Sequence, residues 1–160
     1  MGVSMGGAGA LYMGLHHRGE LASAIVLSAP IFDVDQTMNF LEGEGLGGRF
    51  PAEKVFGPPD RERVEADNPY AQLQGQENLN GMRLFLGAGT RDRKGILEST
   101  KKLHSHLLGK SVPHDFLVYE GRHRWRDWAR IFPVALCLHL RAECKLGADS
   151  FYQLVSSQPD

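Results

Sequence analysis

The sequence predicts an α/β fold, a mostly parallel sheet with helices packed on it. Three observations carry this. Short apolar runs at residues 23–30, 82–88 and 114–119 have the length and near-continuous hydrophobicity of strands buried on both faces. Segments with apolar residues at helical spacing lie around them, at residues 2–17, 95–108 and 125–141. Strand and helix therefore alternate, and such alternation builds parallel strands joined by helical crossovers.

The elements follow in order. Residues 2–17 open with small side chains and then place Ala8, Leu11, Tyr12 and Leu15 at helical spacing. His16, His17 and Arg18 supply cations at the C-terminal end, and Gly19 supplies the stop. The run 23–30 is closed by Pro30. Residues 31–80 break the rhythm with GEGLGG at 43–48, Gly57-Pro58-Pro59 and Asn68-Pro69. Short helical pieces such as 61–66 and isolated apolar side chains (Phe40, Leu41, Phe50, Val55, Phe56, Tyr70) give this stretch too little pattern for a core of its own. It reads as an irregular insertion in one domain spanning 1–146. Regular alternation then returns: strand 82–88, helix 95–108 with Ile96, Leu97, Leu103, Leu107 and Leu108, strand 114–119, and helix 125–141. Pro133 should kink the last helix or mark a boundary in it. The polar tail 147–160 is expected to fray.

Composition excludes several classes. The chain has 160 residues, 42% hydrophobic and 23% charged, which is ordinary globular usage for one domain. No apolar run approaches the roughly 18–20 residues that span a bilayer. Eighteen Lys plus Arg against nineteen Asp plus Glu leave a net charge of -1, so nothing attracts nucleic acid or an anionic membrane. Cys137 and Cys144 lie seven apart on the expected helix. That is about 10 Å of rise, beyond disulfide reach, so both are expected as reduced thiols.

The chemistry begins at the N-terminus. Gly2-Val3-Ser4-Met5-Gly6 matches G-x-S-x-G, followed by Gly7 and a helix. This pattern makes a sharp strand-to-helix turn, with flanking glycines where side chains would collide. The turn lifts the serine hydroxyl above the sheet and aims the Met5 N–H toward developing negative charge. A serine nucleophile needs a base, and the base needs a carboxylate. Asp92 follows the strand 82–88 and His123 follows the strand 114–119, in the order Ser, acid, His expected of this turn. All three fall at the carboxyl edge of one parallel sheet, where such sheets place ligands.

Other candidates are weaker. Asp33 and Asp35, after the strand 25–29, compete with Asp92 for the acid role. Asp115 and Asp127 read as strand-edge and helix-surface charges. His16 and His17 end a helix; His104 and His106 are two apart on a helix and share no face. His114 and His139 read as structural, and no cluster has zinc-like spacing. Gly109-Lys110-Ser111 lacks the upstream glycine of a phosphate loop. The basic and aromatic residues at 122–128 form one cluster on a neutral chain, weak support for nucleic-acid binding.

These motifs resemble a known group. GVSMGGAGAL at residues 2–11 looks like the nucleophile elbow of the esterase D-type "putative esterase" family of α/β-hydrolases, which includes S-formylglutathione hydrolases, feruloyl and acetyl-xylan esterases, enterochelin esterases and mycolyltransferases. GAGTRD resembles the loop bearing the family's acid, at Asp92. EGRHRWRDW resembles its G-G-H-x-W-x-x-W segment, with the base at His123 and aromatic companions at Trp125 and Trp128. Asp67-Asn68-Pro69-Tyr70 is similar to a segment before the family's penultimate strand. The resemblance implies an α/β-hydrolase fold and a carboxylic-ester hydrolase working through an acyl-enzyme. It implies no metal or organic cofactor, and a small-molecule or carbohydrate-linked ester as substrate. Arg122 stands where the family usually has glycine; with Trp125 it is a candidate substrate-binding residue, suited to an anionic group.

The fold's earlier strands have no counterpart in this sequence, so the chain is expected to be the C-terminal part of the fold. The strand at 25–29 would then lie unpaired on one side, an edge open to self-association. The loop supplying a second oxyanion donor would be missing, and losing one such donor typically costs about 10²–10³ in kcat. The insertion at 31–80 is expected to cover the site and set its substrate. The alternatives are an acyltransferase of the same fold and a non-catalytic remnant acting through another chain.

Overall fold

The computed structural model describes residues 1–43, 52–75, 78–140 and 152–156. Five strands form one sheet in sequence order: β1 (Gly2–Val3), β2 (Ser23–Leu27), β3 (Arg83–Arg91), β4 (Asp115–Arg122) and β5 (Tyr152–Ser156). The first four run parallel and β5 is antiparallel to β4. The chain divides into two compact units, one of Met1–Ile31 with the chain from Gly75 onward, the other Phe32–Gln74.

The sheet is buried on both faces because its strands are apolar at successive positions. In register, Ala24, Leu84, Leu86 and Phe116 share one face. Helix α1 (Met5–His16) lies on it, so close that a Cβ on Gly14 would sit 3.0 Å from that of Ala24. Helix α6 (Ile96–Gly109) also lies on this face, with the His104 ring stacked on Phe116 at 4.1 Å. Ile25, Leu27, Phe85, Leu117 and Tyr119 share the other face. There they join Trp128, Ile131, Val134 and Ala135 of α7 (Trp125–Leu140) in the main core. Each fully buried Leu or Phe contributes about 1.5–3 kcal/mol relative to exposure. Helix α7 continues through Pro133.

The second unit holds four short helices, α2 (Val34–Leu41), α3 (Ala52–Phe56), α4 (Arg61–Asp67) and α5 (Pro69–Gln72). Side-chain caps fix their starts. Asp33 and Gln36 form a reciprocal capping box on α2, Asp60 accepts from the Arg63 N–H, and Asn68 caps α5 with Pro69 in its first turn. Phe32, Phe40 and Phe56 pack ring to ring at 6.0 and 6.3 Å.

Three expectations are corrected. The tail does not fray throughout, because β5 pairs with β4 from Asp115↔Ser156 to Tyr119↔Tyr152. The edge of β4 would otherwise present unpaired N–H and C=O groups. The strand β2 is covered on its outer side at Val26 and Leu27, which pair with Gly2 and Val3 of the two-residue β1. Cys137 is disulfide-bonded rather than a free thiol. Cys144, the other cysteine of the sequence, lies outside the described residues.

Candidate active site

Ser4 is held by the turn between β1 and α1. Its backbone takes φ 53°, ψ -130°, a positive φ that L residues rarely adopt. Its N–H donates to the Leu27 carbonyl at 2.9 Å, extending the β1–β2 ladder by one bond before the chain turns away. The glycines are not equivalent. A Cβ on Gly2 would lie 2.0 Å from the Gly6 carbonyl oxygen, and one on Gly7 would lie 3.0 Å from the Ala29 Cβ. A Cβ on Gly6 would meet nothing. Close approach therefore excludes a side chain at 2, crowds one at 7 and leaves room for one at 6. A helix leaves its first-turn N–H groups without intrahelical acceptors, and Met5 supplies one of them beside Ser4.

Asp92 and His123 come from the carboxyl ends of β3 and β4. These ends approach closely at Gly89 and Gly121, where a Cβ on Gly89 would lie 2.5 Å from the Gly121 carbonyl oxygen. Beyond Gly89 the register between the two strands shifts. His123 Nδ1 lies 2.6 Å from Asp92 Oδ1, and His123 Nε2 lies 2.8 Å from Ser4 Oγ. The Asp92 side chain is 1% exposed and that of His123 10%. With Asp92 as a carboxylate, Nδ1 carries the ring proton, and Nε2 is left to accept from the Ser4 hydroxyl. Asp92 also accepts from the Arg93 N–H at 2.8 Å.

The loop bearing His123 is pinned by Asp127, which sequence reasoning placed on the helix surface. The structure buries it: Oδ2 accepts from the Arg122 N–H at 2.7 Å and from Arg124 Nη2 at 3.2 Å. The hydrogen bond from the Arg122 N–H, followed by the Arg124 guanidinium, holds its carboxyl below the usual range. The Trp128 and His123 rings pack nearly perpendicular with centroids 4.8 Å apart, and Trp125 packs on Trp128 while 68% exposed. The Arg122 side chain is exposed. Asp33 and Asp35, the competing acids, are engaged within their own unit: Asp33 caps α2, and Asp35 pairs with Arg61 at 2.5 Å.

Sequence reasoning missed Ser28. It follows β2 at φ 50°, is fully buried, and donates its N–H to the Gly87 carbonyl at 2.7 Å. Its hydroxyl contacts Asp92 Oδ2 at 2.5 Å, the Tyr119 hydroxyl at 2.8 Å and Trp128 Nε1 at 2.9 Å. The available signal was a polar residue directly after a buried strand at the edge that carries the site.

No cluster of three metal-ligating side chains occurs among the described residues, and no helix among them is long and apolar enough to cross a membrane.

A parallel sheet between helix layers, with Ser4, His123 and Asp92 at the carboxyl ends of its strands, has the architecture of an α/β-hydrolase. The model of the Putative esterase family matches residues 1–139, and the chain belongs to that family. Solved structures with the same fold include a ferulic acid esterase (18% identity, TM-score 0.61, covering 87% of this chain and 50% of that one). Another is the S-formylglutathione hydrolase FrmB from Staphylococcus aureus (18%, 0.62, 87% and 52%). A third is the fluorophosphonate-binding serine hydrolase FphF from the same organism (21%, 0.61, 87% and 52%). This chain thus spans about half the length of the structures it matches. A search of curated proteins finds no match.

Proposed function

We propose that this chain carries the reacting groups of a carboxylic-ester hydrolase that works through an acyl-enzyme. The observation behind this reading is the unbroken hydrogen-bond chain from Ser4 Oγ through His123 to Asp92, at 2.8 and 2.6 Å. Ser4 Oγ attacks the ester carbonyl carbon while His123 Nε2 takes its proton. The Met5 N–H donates to the oxygen that becomes negative. Collapse expels the alcohol, which receives that proton from His123. Water then adds to the acyl carbon with His123 again as base, and the carboxylic acid leaves Ser4. Asp92 keeps Nδ1 protonated and stabilises the imidazolium formed in each half. Arg122 and Trp125, exposed beside His123, are the side chains that would meet the substrate, and Arg122 favours an anionic one.

A fluorophosphonate probe tests the reading directly, because it phosphonylates only an activated serine. The folded chain should be labelled at Ser4, Ser4→Ala should abolish labelling, and a nitrophenyl acetate should be hydrolysed. A folded, unlabelled wild type would overturn the reading in favour of a non-catalytic chain.

A further inference from the structure

The Ser4 and Ser28 sites share one construction on neighbouring strands. Each serine directly follows a strand, takes a positive φ near 50°, and donates its N–H to a carbonyl of the next strand before turning out. Ser4 meets His123 and Ser28 meets Asp92, so the imidazole–carboxylate pair lies between two serine hydroxyls.

The hydroxyl of Ser28 has one proton and two lone pairs, and three partners surround it. Trp128 Nε1–H only donates, so it fills one lone pair. The Asp92 carboxylate only accepts, so it takes the proton. Tyr119 can play either part in isolation, but only the second lone pair remains, and its O–H must donate there. Burial pushes the Tyr119 phenol up to about 12, so it keeps that proton at any ordinary pH. Every hydrogen in the cluster is thereby assigned, and rotation of the Ser28 hydroxyl would leave buried polar groups unpaired.

We infer that Ser28 is a positioning residue: locked by Tyr119 and Trp128, its hydroxyl holds Asp92 Oδ2 so that Oδ1 faces His123 Nδ1. This deepens the esterase reading and rests on it for its kinetic consequence, whereas the geometric claim can be tested without turnover. Trp128 ties the two ends together, since its N–H fixes Ser28 while its ring packs perpendicular to that of His123. Asp92 keeps its Arg93 N–H bond when Ser28 is changed, so the carboxylate is loosened rather than expelled.

The test uses the 160-residue chain and the variants Ser28→Ala, Ser28→Gly and Tyr119→Phe, alone and combined with Asp92→Asn. Glycine at 28 accepts the positive φ, and Tyr119→Phe removes one oxygen, so at least one variant folds. Loss of a hydrogen bond to a charged group predicts a fall in kcat of about 10–100-fold for both Ser28 variants, and roughly threefold to tenfold for Tyr119→Phe, with KM within about twofold. In the Asp92→Asn background each change should add less than about twofold, because the residue acts through Asp92. The second readout is the far-downfield proton resonance of His123 Nδ1–H, assigned by its loss in Asp92→Asn. It should broaden or move upfield in the Ser28 variants. Losses that multiply with Asp92→Asn, or an unchanged resonance, overturn the inference. A wild type that shows the resonance but hydrolyses nothing defeats the esterase reading alone.

Discussion

Strand β4 has a histidine immediately beyond each end, and the two are put to opposite uses. His123, at the carboxyl end, lies between a carboxylate and a hydroxyl, with part of its ring open to solvent. His114, at the amino end, is buried, with Nδ1 2.8 Å from the Val112 carbonyl and Nε2 2.7 Å from His104 Nδ1. The Val112 carbonyl only accepts, so His114 Nδ1 carries its proton and Nε2 accepts from His104 Nδ1–H. The His114 ring is satisfied at both nitrogens while neutral, and burial pushes both histidines below the usual range. In the reaction we propose, the same side chain carries a proton where its partners are a carboxylate and a hydroxyl, and it is a structural clamp where its partners are neutral.

Crossing the two histidines gives the largest expected effect. His123→Ala should cut the rate of fluorophosphonate labelling by about 10²–10⁴-fold, while melting within about 2 °C of wild type. His114→Ala should do the reverse. It leaves a buried donor on His104 unpaired and opens space, costing about 2–3 kcal/mol. A thermal melt should then fall by roughly 5–10 °C in a chain of this size, with labelling per folded molecule unchanged. Equal effects of the two on melting would erase the distinction.

Acid should sharpen the same contrast at smaller scale. Histidines held below their usual range in the folded state stay neutral while the unfolded chain takes up protons below about pH 6.5, so stability falls as pH drops. His104, His114 and His139 all shift this way. Melting at pH 5.5 should lie about 3 °C or more below that at pH 7.5, and the gap should shrink in His114→Ala. The smallest effect concerns the rim alone. Arg122→Gly should raise KM roughly threefold for esters with an anionic acyl group and leave neutral esters unchanged. An equal loss on both would remove Arg122 from substrate contact.

The fold was legible because its signals are local. Apolar runs and helical spacing mark β2, β3, β4, α6 and α7 to within a few residues. Ser4 was singled out by a motif, Asp92 and His123 by their places after strands, and the structure sets all three side by side. What escaped depends on contacts distant in sequence. Ser28 meets partners 64, 91 and 100 residues away, and no window around residue 28 contains them. Asp127 looks like any helix-surface acid until the Arg122 N–H is seen to bond it. The strand β5 has a partner only once the edge of β4 exists. In the glycine motif the converse error arose. The pattern treats Gly2 and Gly6 alike, but only the former is crowded.

The paired serine turns also bear on how such a chain can be stabilised. Ser4 and Ser28 occupy backbone conformations that disfavour any side chain, by about 1–3 kcal/mol each. Glycine would relieve that strain at residue 4, but at residue 28 it would leave Asp92, Tyr119 and Trp128 without the hydroxyl they share. A stabilised version of this chain should therefore keep serine at both positions, at residue 4 for the reaction we propose and at residue 28 for its buried hydrogen bonds.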